Sequence, residues 1–211
     1  MNHGPETPAG PDLFSVDPRP LLDRAAAQFA ELIAAVPADR LDAPTPCTDF
    51  SVRDLIGHTL RATEGFAVAA EAGGKRPAPG AAEQLPADGE LKSAFDEARR
   101  ALSAAWADDA LLDAEYDMPW GKMPGRGTLG GAVMETVAHT WDLATALGRS
   151  CASLDPEPAE YALAVGHAFL TADRRGPEVP FDEVREAPEG AGVYERLAAW
   201  LGRRTDWAAA E

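Results

Sequence analysis

The segment Leu129–Leu147 constrains the fold more than any other part of the chain. It reads LGGAVMETVAHTWDLATAL, with Thr128 placed to cap its start and Gly148 at the position just past its end. Val133, Val137, Trp141, Ala144 and Leu147 recur at helical spacing and form its apolar stripe. On another face, Glu135 and His139 stand four apart, one turn from each other, and Asp142 follows three further on. Gly131, Ala132, Ala138 and Ala146 beside them are small. Charges usually gather at helix ends, yet this acid–imidazole stripe is mid-helix. One carboxylate and one imidazole a turn apart can bind a metal ion together, which is how helical bundles build metal sites in their interiors.

The rest of the chain supplies helices to pack against it. Leu21, Leu22, Ala25, Phe29, Leu32, Ile33 and Val36 predict a first helix, stopped by Pro37. Ser51 followed by Asp54 resembles a capping box and opens a second helix from about Val52 to Glu71, ending at Gly73-Gly74. A third is expected from Glu90 to Trp106, a fifth after Pro158 to about Ala172, and a short last one from Val193 to Arg203. Residues 75–89, 107–127 and the stretch with Pro177, Pro180 and Pro188 read as irregular. Residues 1–20, with Pro5, Pro8, Pro11, Pro18 and Pro20, read as a flexible lead-in, leaving 21–207 as a single domain. No segment alternates with period two, so the expected class is all-α.

Net charge of -16 makes nucleic acid and anionic membrane surfaces poor partners. No apolar run approaches the roughly 20 residues a membrane-spanning helix needs. The N-terminus lacks the basic start and apolar stretch of a signal peptide, so a cytoplasmic location is expected. Cys47 and Cys151 form no CxxC pair and read as reduced structural thiols, with Cys47 the more interesting for its place ahead of the second helix.

Two ligands make a weak metal site, and a third must come from another helix. The chain has four histidines. His3 lies in the lead-in and His167 on a later helix, which leaves His58, mid-helix beside Leu55 and Ala62, as the candidate. Spacing alone leaves other readings open. His58 also fits a satisfied boundary histidine, and Glu135 with His139 a solvated i,i+4 pair. Asp142 reads either as an acceptor orienting a ligand histidine or as a surface acid. Trp120 and Trp141 are candidates to line a pocket, with core packing the stronger reading for Trp141. Arg53 and Arg61 are candidate anion partners, against ordinary solvated roles. The pattern is not H-E-x-x-H, so a zincin protease is excluded.

Three ordered segments carry a resemblance. Pro44-Thr-Pro-Cys-Thr-Asp-Phe-Ser-Val-Arg-Asp-Leu-Ile-Gly-His58 resembles the opening signature of the mycothiol-dependent maleylpyruvate isomerase N-terminal domain family, part of the DinB/YfiT-like superfamily. Glu135-Thr-Val-Ala-His139-Thr-Trp-Asp-Leu-Ala resembles its second signature, and Leu201-Gly-Arg-Arg-Thr-Asp-Trp207 is similar to the tail of an actinobacterial metal-binding branch. The resemblance implies a DinB-like four-helix bundle with additional C-terminal helices and one central metal. Its ligand positions match His58, Glu135 and His139. It also implies mycothiol as a thiol cofactor. The isomerase has a further C-terminal domain that contributes to its active site, and a chain of this length is not expected to hold one, so maleylpyruvate is not carried over as substrate.

Two imidazoles and one carboxylate leave Zn²⁺ a positive charge and an open position, the arrangement of catalytic rather than structural sites. Zn²⁺ is the first expectation for the single divalent ion, and Ni²⁺, Co²⁺ or Fe²⁺ also suit these donors. A metal-held thiol loses its proton near neutral pH and can attack a small electrophile. The expected function is therefore a metal-dependent thiol transferase or isomerase, acting as monomer or homodimer. The competing expectation is a metal-binding sensor, buffer or partner module without turnover.

Overall fold

The computed structural model describes residues 13–72, 85–118, 121–171, 174–175 and 181–208. The lead-in up to residue 12, Gly73-Gly74, Trp120, Pro177 and Pro180 lie outside the described residues. The helices are α1 (Arg19–Ala34), α2 (Val52–Ala72), α3 (Leu91–Ala105), α4 (Ala110–Asp113), α5 (Gly125–Ala146), α6 (Pro156–Phe169) and α7 (Val193–Trp200). Among the described residues none is long and apolar enough to cross a membrane.

Four helices make the bundle. α1 packs on α5 and α3, and α2 packs on α3 and α5, so the four form a closed ring. Their shared interior holds Phe29 edge-on to Phe95 at 5.1 Å between ring centroids, with Leu55, Ile56, Val133 and Val137 buried around them. α6 lies against α5 and α1, and α7 lies against α6 and α5. With a third layer on this side, α5 is covered nearly all round, which explains why it buries polar residues as well as apolar ones. Two of its buried threonines bond within the helix: Thr136 and Thr140 donate to the carbonyls of Ala132 and Thr136 at 2.9 and 2.8 Å.

The helix signals in the sequence act as expected at several ends. The Ser51 amide and hydroxyl both donate to Asp54 Oδ2, at 3.1 and 2.6 Å, and the Asp54 amide donates to Ser51 Oγ at 3.2 Å. This is the reciprocal box that starts α2. Gly148 has φ +67°, its amide donates to Thr145 O at 2.9 Å, and the Arg149 amide donates to Ala144 O at 2.8 Å. These two bonds make a Schellman end to α5.

Two expectations require correction. The stretch 107–127 is not wholly irregular. It contains the single turn α4 and an antiparallel hairpin, β1 (Glu115–Met118) with β2 (Gly121–Pro124), registered Glu115 to Pro124 and Tyr116 to Met123. The hairpin covers one end of the bundle, where Tyr116 meets Trp106 at 4.9 Å between centroids. Nor does α5 begin at Leu129 with Thr128 as cap. It starts a turn earlier at Gly125, whose amide donates to Ala114 O at 3.0 Å. A Cβ on Gly125 would sit 2.1 Å from Leu111 O, so glycine is required for this close approach. Glycine here serves packing, not a break in the helix.

Candidate metal centre

α2 and α5 are packed neighbours in the bundle and bring His58, Glu135 and His139 together. Glu135 Oε1 lies 2.7 Å from His58 Nε2 and 3.3 Å from His139 Nε2. The two imidazoles stand nearly perpendicular at 83°, with centroids 5.0 Å apart. Candidate ligand atoms on the three residues all lie within 4.8 Å of one another. Donors bound to one zinc at about 2.0–2.2 Å sit roughly 3–4 Å apart, so this cluster is of a type and size that could hold one ion.

The two histidines have different surroundings. His139 is buried, its side chain 6% exposed, and Asp142 behind it is fully buried at 0%. Asp142 Oδ2 lies 3.0 Å from His139 Nδ1. A carboxylate can only accept, so Nδ1 carries the proton and Nε2 is turned to Glu135. Of the two readings of Asp142, the buried orienting acceptor is the one the geometry bears out. His58 is more open, with its side chain 37% exposed. Phe50 lies against its ring at 5.0 Å between centroids and 33° between planes.

Electrostatics couple the three groups. Burial acts to raise the Glu135 pKa, but His139 and His58 outweigh it and hold this carboxyl well below its usual range. Burial acts to lower the His139 pKa, and Glu135 and Asp142 reverse that, bringing it up to about 9. The pocket thus attracts positive charge.

The loop ahead of α2 completes this end. The Thr45 hydroxyl shares its proton between the Cys47 and Phe50 carbonyls, at 3.0 and 2.9 Å, and the Phe50 amide donates to Cys47 O at 2.8 Å. This tight loop sets Phe50 on His58 and brings Cys47 near His139 and Asp142. Burial pushes the Cys47 thiol up to about 11 against the pull of Arg203, so it is a neutral thiol rather than a nucleophile. Cys151 is pushed higher, to about 12, by burial.

Other candidates fall elsewhere. Arg53 pairs with Asp88 and Asp42, so it is committed to surface carboxylates. Arg61 is exposed. Trp141 is core. His167 packs edge-on against Trp200 at 4.3 Å. Sequence reasoning missed Phe50 and Arg203. Arg203 reaches back from the tail to Asp142, donating from Nε to Oδ1 at 3.0 Å and from Nη2 to Oδ2 at 3.2 Å.

The family of mycothiol maleylpyruvate isomerase N-terminal domains matches residues 22–144, a span that holds all three candidate residues. The chain belongs to this family. Among its relatives are two proteins of Mycobacterium tuberculosis, the uncharacterized proteins MT0763 (strain CDC 1551 / Oshkosh) and Rv0738 (strain ATCC 25618 / H37Rv). Each is 34% identical over 188 residues, covering 89% of this chain and 98% of the relative. The crystal structure of the mycothiol-dependent maleylpyruvate isomerase superposes with a TM-score of 0.60 at 15% identity, over 76% of this chain and 72% of that one. At that identity the match speaks for the fold: an all-α, DinB-like bundle carrying further C-terminal helices.

Proposed function

We propose that this chain binds one divalent metal ion, Zn²⁺ first among the candidates, through His58 Nε2, a Glu135 carboxylate oxygen and His139 Nε2. We further propose that it uses the ion with a mycothiol-type thiol to transfer that thiol to a small electrophile or to isomerise it. The observation that supports this most is the convergence of two imidazoles and one carboxylate from α2 and α5, in a family named for a mycothiol-dependent isomerase.

A divalent ion with an open position lowers the pKa of a coordinated thiol and so supplies a nucleophile near neutral pH. The chain's residues prepare that position. Among the described residues, Glu135 contributes the negative charge in direct reach of both imidazoles. Asp142 holds the proton on His139 Nδ1, so that Nε2 is the nitrogen that would lose its proton and donate its lone pair to an ion. Phe50 lies against the ring of His58, whose side chain is 37% exposed. Three donors, rather than four, keep a coordination position for the thiol.

Zn²⁺-loaded protein incubated with mycothiol and chlorodinitrobenzene tests the reading. A thiol conjugate that forms with the native chain and not with His58→Ala is expected, together with a thiol-induced change in the Co²⁺ absorption spectrum. Metal bound without conjugate or spectral change would overturn the catalytic part and leave a metal-binding module.

A further inference from the structure

We infer that Arg203 is a positioning residue for the metal centre, acting through Asp142 on His139. This rests on the proposed metal site, and it gives the C-terminal Leu201-Gly-Arg-Arg motif a role.

Local geometry aims the side chain. The Gly202 amide donates to Ala199 O at 3.0 Å and the Arg203 amide donates to Ala198 O at 2.9 Å, closing α7 with a Schellman motif. Gly202 has φ +87°, and a Cβ there would lie 2.5 Å from Asp182 Cβ, so only glycine fits. Its carbonyl accepts from Arg185 Nε at 2.7 Å. This sharp reversal sends Arg203 back towards α5 instead of out to solvent, and its side chain is 14% exposed.

Once inside, the guanidinium makes a fork. Nε and Nη2 each hold one oxygen of Asp142, and Nη2 also donates to Cys47 Sγ at 3.2 Å. A two-pronged grip fixes the plane of the carboxylate, which a single bond does not. That plane decides whether Asp142 Oδ2 points along the His139 N–H, 3.0 Å away. Arg203 also shares the negative charge of Asp142. The row Arg203, Asp142, His139 therefore sets the direction of one ligand.

The test reads Zn²⁺ affinity by competition with a chromophoric chelator and the Co²⁺ absorption spectrum, on folded protein checked by circular dichroism. Arg203→Gln is expected to weaken Zn²⁺ about 10- to 100-fold, the usual effect of removing a partner one shell out, and to shift the Co²⁺ bands. Arg203→Lys keeps the charge without the fork and is expected to recover part of the affinity. In an Asp142→Asn background, Arg203→Gln is expected to add little, since its route to the metal is already cut. Unchanged affinity and spectrum in Arg203→Gln, or the same full loss in the Asp142→Asn background, would overturn the inference. If Arg203→Gln does not fold, Arg203→Lys decides, and an unchanged spectrum there overturns it. Absence of Zn²⁺ binding by the native chain would overturn the metal reading and this inference together, whereas native binding with an unaffected Arg203→Gln overturns this one alone.

Discussion

The two walls of the site are built differently. The α5 wall is deep: His139 and Asp142 are buried, and Arg203 from the tail locks them. The α2 wall is shallow: His58 stands at the margin, a third exposed, held by a ring contact from a short loop. Both walls offer one imidazole to the same carboxylate, yet only the α5 imidazole is tied into the stability of the bundle. One side is buried and braced, and the other is partly open to solvent.

That contrast gives its largest effect in His139→Ala. Metal binding should vanish, and stability without metal should fall by about 3–5 kcal/mol, because Glu135 and Asp142 lose a buried partner. Urea unfolding in chelator measures it. His58→Ala should also abolish binding but cost under about 1 kcal/mol in the same experiment, as expected for a half-exposed pair. Equal destabilisation by the two would break the contrast.

A pH series sharpens it. With its pKa raised to about 9, His139 stabilises the metal-free chain fully below the unfolded value near 6.5, and that contribution is lost as pH rises through about 9. Zinc reverses the trend, because protons compete for the same imidazoles and binding strengthens as pH rises. Unfolding midpoints from pH 6 to 9.5, with chelator and with Zn²⁺, should therefore slope in opposite directions, and His139→Gln should flatten the chelator series. The smallest effect belongs to Gly148→Ala, at the far end of α5. A Cβ there meets nothing within 4 Å, so only the φ of +67° is strained. It should cost about 1 kcal/mol and leave Zn²⁺ affinity unchanged.

Most of the bundle was legible because its helices carry long periodic stripes and explicit ends, as at Ser51 with Asp54 and at Gly148. Glu135 and His139 were legible as a pair because i,i+4 spacing fixes their relation whatever surrounds them. His58 needed the resemblance, since a helix pattern does not say which helix it will face. Asp142 stayed between two readings for a related reason: its partner Arg203 stands 61 residues further along the chain. Phe50 and Arg203 were missed because each reaches the site through loop geometry. The sequence placed Arg203 in the C-terminal motif and at the end of the last helix, which in fact stops at Trp200, so its reach back to α5 was not visible. The hairpin was missed because its four-residue strands bury little besides Tyr116, too short a pattern to register as alternation.

The central claim is that His58, Glu135 and His139 hold one divalent ion. Elemental analysis of the purified chain after equilibration with Zn²⁺ and removal of excess metal tests it most directly, alongside Glu135→Gln, His58→Ala and His139→Ala. The account predicts one ion per chain in the native protein and none in each variant. One ion per chain retained in both histidine variants would contradict it.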